Sequence, residues 1–327
     1  MTPSEFMQEW NNDADTVGVH TSGSTGTPKP MQVEKARMMA SAQMTCDFLG
    51  LRCGDTALLC LPCDYIAGKM MIVRSIERGM KLIEAEPSNH PLAHVNDHIH
   101  LAAMVPSQVY ETLRCDSECR KFKEIDNVII GGGAVTGEIE QELRGFPNAV
   151  WSTYGMTETL SHIAMRRLSG PEASRWYTLM DGVSVSLTDK EDTNIGRLVI
   201  DAPHLCDRQL VTNDIVELKD TTHFRIIGRT DNVICSGGIK LHIEELEEKL
   251  RPHLPCDFCI SKRQDPKFGE VAVLLIAAGD ISTGDIMATC RNTLDHYQLP
   301  KHIVTVTAIP MTGNGKIDRH HALALAK

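Results

Sequence analysis

The chain has 327 residues, 33 Lys and Arg against 43 Asp and Glu, a formal net charge of −10 and 42% hydrophobic residues. That apolar content excludes an acidic disordered tail, and 24 Gly and 15 Pro are too few for a collagen-like or low-complexity chain. The acidic balance argues against a nucleic-acid partner, no apolar run approaches the roughly 20 residues that span a bilayer, and the N-terminus lacks a signal-peptide core. A cytoplasmic protein of about two domains, without membrane insertion, is the expectation.

Eleven scattered cysteines fit reduced thiols better than a disulfide framework. Cys60/Cys63 and Cys256/Cys259 have CxxC spacing, but each pair borders a strand-like apolar run. They read as buried thiols, not as a zinc knuckle.

In chain order, residues 17–20 read as a strand, and 35–49 as a helix closed by Gly50. Residues 56–61 are strand-like, and 66–78 form a helix ending at Gly79. Further strands are predicted at 81–83, 99–104, 127–130 and 150–153, with helices at 107–114 and 137–144. Strands alternating with helices of this length predict an α/β fold with a mainly parallel sheet. From 183 to 227 the helical pattern gives way to hairpin strands at 183–187, 197–200, 215–218 and 223–227, a small β-rich subdomain. An α+β pattern follows, with helices at 243–250 and 283–295 and a strand at 271–276. The domains are therefore expected at 1–228 and 229–327. Glu244, Glu245, Glu247 and Glu248 read as the wet face of an amphipathic helix. The 14 histidines offer no HxxxH spacing beside an acid that points to a metal.

The stretch that carries most chemistry is His20-Thr-Ser-Gly-Ser-Thr-Gly-Thr-Pro-Lys29. Gly23 and Gly26 let the backbone turn tightly, so that its amides and the hydroxyls of Thr21, Ser22, Ser24 and Thr25 can surround phosphate oxygens. Lys29 adds a positive charge. A Walker A loop is absent, and Gly131-Gly-Gly-Ala-Val-Thr-Gly137 does not fit GxGxxG.

At this loop the chain resembles the adenylate-forming superfamily of acyl-CoA synthetases, adenylation domains and luciferases, whose phosphate loop reads TSGSTGxPK. Three further segments match that family in order: Tyr154-Gly-Met-Thr-Glu158, Gly228-Arg-Thr-Asp231 followed by Ser236-Gly-Gly238, and Pro310-Met-Thr-Gly-Asn-Gly-Lys316-Ile-Asp-Arg319. The resemblance implies activation of a carboxylic acid by ATP and transfer to CoA, with Mg²⁺ as the metal. It implies that Thr21, Ser22, Gly23, Ser24, Thr25, Gly26 and Lys29 hold the β- and γ-phosphates, that Thr157 bonds the α-phosphate, and that Glu158 holds Mg²⁺. Gly132, Gly133, Ala134, Tyr154 and Gly155 resemble the adenine pocket, and Asp214 the aspartate that accepts the ribose hydroxyls. In this chain Asn213 stands where the family has glycine. Arg229 would contact ribose or phosphate, and Asp231 sits at the family's hinge. Residues 229–327 would then form a mobile lid. In one orientation it brings Lys316 to the reacting carboxylate, and in the other it brings Gly237 and Gly238 to a CoA channel.

Residues 59–68 and 104–108 look like the subgroup that converts o-succinylbenzoate to its CoA thioester in menaquinone synthesis. Ser161 and His162 are candidates for polar partners of such a dicarboxylate. Another aryl- or acyl-CoA ligase, a stand-alone adenylation enzyme, or a catalytically weak nucleotide-binding protein are the alternatives. The family carries a subdomain before the phosphate loop, which starts here about 20 residues in. The chain is thus expected to be a form shortened at the N-terminus that keeps its phosphate-handling residues, and a shortened core favours a homodimer.

Overall fold

Helix α1 (Pro3–Trp10) starts at Thr2, whose hydroxyl accepts from the Glu5 N–H at 3.2 Å while the Glu5 carboxylate accepts from the Thr2 N–H at 2.6 Å. This reciprocal cap satisfies two amides that a helix start leaves without partners, and Phe6 is buried one turn on. The structure is a computed structural model that describes residues 1–20, 30–277, 282–312 and 317–327. Two compact units separate: Met1–Ser186 with Val199–Leu210 and Lys219–Phe224, and Leu187–Leu198 with Val211–Leu218 and Arg225–Lys327. Among the described residues, no helix is long and apolar enough to cross a membrane.

In the first unit β1 (Thr16–His20) pairs antiparallel with β2 (Pro30–Glu34), Thr16 opposite Glu34. The next elements are α2 (Lys35–Leu49), β3 (Thr56–Leu59), α3 (Ile66–Arg78), β4 (Lys81–Glu84), β5 (Leu101–Met104), α4 (Pro106–Arg114) and α5 (Asp116–Lys123). Then come β6 (Asn127–Ile130), α6 (Gly137–Leu143), β7 (Ala149–Gly155), β8 (His162–Arg167) and β9 (Tyr177–Leu179). The sheet runs β4-β3-β5-β6-β7-β8-β9, parallel from β4 to β7 and antiparallel beyond. Both long helices stop where the sequence predicts, at Gly50 and Gly79 with φ 66° and 65°. Alternation then sorts the core. Leu59, Leu101, Ala103 and Ile129 join Met38, Ala42, Cys46 and Met71 from α2 and α3. Leu58, Ala102, Met104 and Val128 join Val109, Phe122, Ile139 and Leu143 from α4, α5 and α6. Both faces are covered, as a parallel sheet requires, and the predicted α/β class holds.

The strands β10 (Ser184–Thr188), β11 (Ile195–Asp201), β12 (Leu210–Leu218) and β13 (His223–Arg229) pair in that order. They match the predicted run of hairpin strands. The second unit continues with β14 (Val233–Ser236), β15 (Ile239–His242), α7 (Ile243–Leu250), β16 (Phe258–Asp265) and β17 (Gly269–Ala277). It ends with α8 (Thr283–Thr293), β18 (His302–Val306) and α9 (Arg319–Leu325). Its sheet has the order β15-β14-β17-β16, with β18 parallel to β17. Ala272, Leu274 and Ile276 face Leu246, Leu250 and Ile286 of α7 and α8, whereas Val273 and Leu275 face Ala322 of α9 and Ala326 just after it. Burial on both sides explains the unbroken apolar run of β17.

The expected wet face of α7 needs correction. Glu247 is buried, accepts from the Ile260 N–H at 2.7 Å, and pairs with both Arg319 terminal nitrogens at 2.7 and 2.8 Å. Glu244 is half-buried and accepts from Asn232 Nδ2 at 2.5 Å, and burial raises its pKa above the usual carboxylate range. Glu248 is exposed, and Glu245 pairs with Lys249 at 3.4 Å. The partners that draw Glu247 inward come from outside its helix. Cys60, Cys63 and Cys259 are the expected buried thiols, whereas Cys256 is only half-buried; burial pushes the pKa of Cys60 and Cys259 up to about 12 and about 11.

Candidate functional site

The parallel strands β6 and β7 point to the same sheet edge, where their pairing ends with Ile130 opposite Ser152 and β7 runs on to Gly155. The segments that follow them therefore lie side by side where ligands of such sheets bind. The Thr153 hydroxyl donates to the Ile130 carbonyl at 3.0 Å and holds the two ends together. After β6 the chain turns through Gly132 at φ 74°, a backbone region that favours glycine. Gly132 and Ala134 are exposed and Gly133 is half-buried. The Thr136 hydroxyl then caps α6 by accepting from the Ile139 N–H.

After β7 the chain folds back tightly. A Cβ on Gly155 would lie 2.3 Å from the Ser161 carbonyl oxygen, so the two arms of the turn close over a bare backbone. Thr159 clamps the short helical turn Thr157–Thr159: its oxygen accepts from the Met156 N–H at 3.0 Å, and its hydroxyl donates to the Ser161 carbonyl at 2.7 Å. Buried Leu160 is held at φ 64°, which costs a leucine of order 1–3 kcal/mol and persists only where surrounding contacts enforce it. On this fixed turn Thr157 is half-buried and Glu158 is exposed. The Tyr154 ring packs edge-on against Phe224 at 5.2 Å and Tyr177 at 6.0 Å.

Next to that turn lies a buried polar chain that runs through both sequence candidates for the acyl pocket. Arg74 of α3 is buried and donates from Nη2 to Ser161 Oγ at 2.7 Å. Ser161 Oγ lies 3.3 Å from His162 Nδ1, and His162 Nε2 lies 3.1 Å from Thr45 Oγ1. The Thr45 hydroxyl donates to the Ser41 carbonyl at 3.1 Å. One assignment of hydrogens satisfies every link: Arg74 to Ser161, Ser161 to Nδ1, Nε2–H to Thr45, Thr45 to Ser41. It requires a neutral His162, and burial, with Arg74 adding to it, holds that imidazole well below its usual range. Among the described residues no carboxylate pairs with Arg74, and its Nε has no partner. Burial brings its pKa down to about 10.

In the second unit Asp214, Arg229 and Asp231 come together. Arg229 Nη1 is 3.1 Å from Asp214 Oδ1, Arg229 Nη2 is 3.3 Å from Asp231 Oδ2, and Asn213 Nδ2 donates to Asp231 at 3.4 Å. Asn213 lies inside β12 and also accepts from Arg197 at 3.0 Å. Gly237 and Gly238 form the exposed β14–β15 turn with φ 58° and 84°. Thr21, Ser22, Gly23, Ser24, Thr25, Gly26, Lys29 and Lys316 lie outside the described residues. What the first unit does show suits a nucleotide and a hard cation: open backbone at Gly132 and Ala134, the Thr157 hydroxyl and the exposed Glu158 carboxylate, oxygen donors of the kind Mg²⁺ takes.

Residues 6–207 match the AMP-binding enzyme family. The chain belongs to that family and is by class an AMP-forming acid–CoA ligase. The crystal structure of an acyl-CoA synthetase (AMP-forming)/AMP-acid ligase II-like protein from Dyadobacter fermentans is similar at 34% identity. The match covers 97% of this chain and 91% of that one, with a TM-score of 0.67. The 2-succinylbenzoate–CoA ligase of Bacillus subtilis is 25% identical over 94% of this chain and 68% of its own length. The structure of O-succinylbenzoate coenzyme A synthetase from Bacillus subtilis, in complex with ATP and magnesium ion, superposes with a TM-score of 0.77. Its identity is 21%, over 94% of this chain and 70% of that one.

Proposed function

We propose that the protein activates o-succinylbenzoate with ATP and passes the acyl group to CoA, a step of menaquinone synthesis. The observation that carries the substrate is Arg74, a buried cation with no carboxylate partner among the described residues. A buried charge without a counter-charge is costly, and a substrate's second carboxylate would supply the missing one. Ser161 and His162 extend from it as further polar partners. The similarity to 2-succinylbenzoate–CoA ligases supports the same reading.

In adenylation the carboxylate attacks the α-phosphorus and pyrophosphate leaves, so negative charge gathers on oxygens that must be neutralised and aligned. Thr21, Ser22, Gly23, Ser24, Thr25, Gly26 and Lys29 hold the β- and γ-phosphates. Thr157 bonds the α-phosphate, and Gly132, Gly133, Ala134, Tyr154 and Gly155 form the adenine surface. Glu158 would hold Mg²⁺, which neutralises phosphate charge when bound. Asp214 accepts the ribose hydroxyls beside Arg229. With residues 229–327 as a lid hinged at Asp231, Lys316 serves the first half-reaction, and Gly237 with Gly238 the approach of CoA.

Lys316→Ala tests this division. It should abolish pyrophosphate exchange yet leave thioester formation from supplied acyl-adenylate. Equal loss of both half-reactions would refute the lid assignment.

A further inference from the structure

Asp55, His98, His100 and Asp126 converge in the first unit at the sheet edge opposite the site just described. Asp55 directly precedes β3, His98 and His100 precede β5, and Asp126 directly precedes β6. These three strands are adjacent and parallel, so their amino ends bring the four side chains together while the nucleotide-side segments leave from the carboxyl ends. His98 Nε2 lies 3.1 Å from Asp126 Oδ2. His100 Nε2 lies 3.9 Å from the same oxygen and 3.5 Å from Asp55 Oδ1. The two imidazoles meet edge to face at 4.8 Å, and one ligand atom each from His98, His100 and Asp126 fall within 4.8 Å of one another. Ligands held about 2.0–2.2 Å from a tetrahedral zinc ion stand roughly 3.3 Å apart. Among these three the widest gap has about 1.5 Å to close to reach that spacing; His98 and Asp126 are exposed, and His100 and the nearby Asp55 are half-buried.

The supporting contacts also suit a metal. Asp55 Oδ2 accepts from the Arg52 N–H at 2.8 Å, which leaves Oδ1 toward His100. His100 Nδ1 lies 2.9 Å from Thr56 Oγ1, and the Thr56 hydroxyl donates to the His98 carbonyl. When Nε2 takes a metal, the ring proton sits on Nδ1 with that oxygen as acceptor, the orienting contact that ligating histidines normally have. Metal binding at Nε2 also requires the Thr56 N–H, a donor directed at Nδ1 from 3.1 Å, to turn away; in the other tautomer Nδ1 accepts from it. A recess of about 370 Å³, lined by Asp97, His98, Lys121 and Glu124 among others, opens beside the cluster with room for a solvent ligand. Lys121 is occupied there by the Leu92 and Ala93 carbonyls, at 3.0 Å each.

We infer that these residues form a divalent transition-metal site, separate from the Mg²⁺ position at Glu158, and that its ion is Zn²⁺. Two imidazoles with carboxylates match the preference of zinc. The bound ion ties the amino ends of three strands together, so its effect is on stability and not on chemistry. The test uses the full chain with Co²⁺ as a spectroscopic probe and Zn²⁺ in competition. Wild type should bind one equivalent with a nitrogen- and oxygen-type spectrum, and Zn²⁺ should displace it and raise Tm by several degrees. His98→Ala/Asp126→Asn should bind at least tenfold more weakly and lose the rise in Tm, with an unchanged far-ultraviolet spectrum before metal is added. His98→Gln serves if the double variant fails to fold. A thiolate charge-transfer band, equal affinity in the variant, or no binding at millimolar metal would each overturn the inference.

Discussion

Replacing Arg74 with methionine removes a buried charge and keeps most of the side-chain volume. Burial lowers the guanidinium pKa from 12.5 to about 10, and at about 1.4 kcal/mol per pH unit this is a desolvation cost of roughly 3.5 kcal/mol. The folded pKa lies below the unfolded one, so the cost is fully present below about pH 10 and eases only as pH rises from there toward 12.5. At pH 7 it is complete. Against it stands a charge-assisted hydrogen bond to Ser161 Oγ, worth about 1.5–3 kcal/mol. The two nearly cancel. Arg74→Met should therefore change stability by no more than about 2 kcal/mol either way, while Arg74→Ala, which opens a cavity, should cost about 2–5 kcal/mol. Activity should respond differently. Removing one partner of a buried charge pair costs about 2–5 kcal/mol, so kcat/KM for o-succinylbenzoate should fall roughly 30-fold or more, with little change for an aromatic monocarboxylic acid. Urea denaturation and pyrophosphate exchange with both acids measure the two effects. A stability loss above about 3 kcal/mol, with both acids equally affected, would make Arg74 a structural residue and refute the reasoning.

Two further outcomes follow from buried groups. Glu247→Ala leaves Arg319 and the Ile260 N–H without their carboxylate partner, so chemical denaturation should show a loss of about 3–5 kcal/mol, and a loss under about 1 kcal/mol would contradict the pairing. His162 is neutral when folded because burial depresses its pKa, whereas the unfolded chain takes up that proton near pH 6.5. Stability should thus be full above about pH 6.5 and fall below it by up to about 1.4 kcal/mol per pH unit. His162→Gln should flatten that limb, and an unchanged slope would count against a buried neutral imidazole.

Local signals were legible from the chain alone. Helices α2 and α3 end at glycines that the backbone uses in the left-handed conformation, and β6 and α7 have the bounds their apolar spacing predicts. Helix α1 was also open to reading, since Thr2 and Glu5 stand at capping-box spacing. What escaped is what long-range contacts decide. Ser161 and His162 could be singled out, but Arg74, 87 residues before Ser161, reads in sequence as one more polar residue of an amphipathic helix. Glu247 looks solvated until Arg319, 72 residues later, folds against it. His98 and His100 lack helical ligand spacing, and their acid arrives through the parallel pairing of β5 with β6.

The most direct test of the proposed activity is pyrophosphate exchange with labelled ATP across a panel of carboxylic acids, with Mg²⁺ present. Strong exchange with o-succinylbenzoate, well above that with aromatic monocarboxylic acids, is the expected result. No exchange with o-succinylbenzoate beside clear exchange with another acid would contradict it.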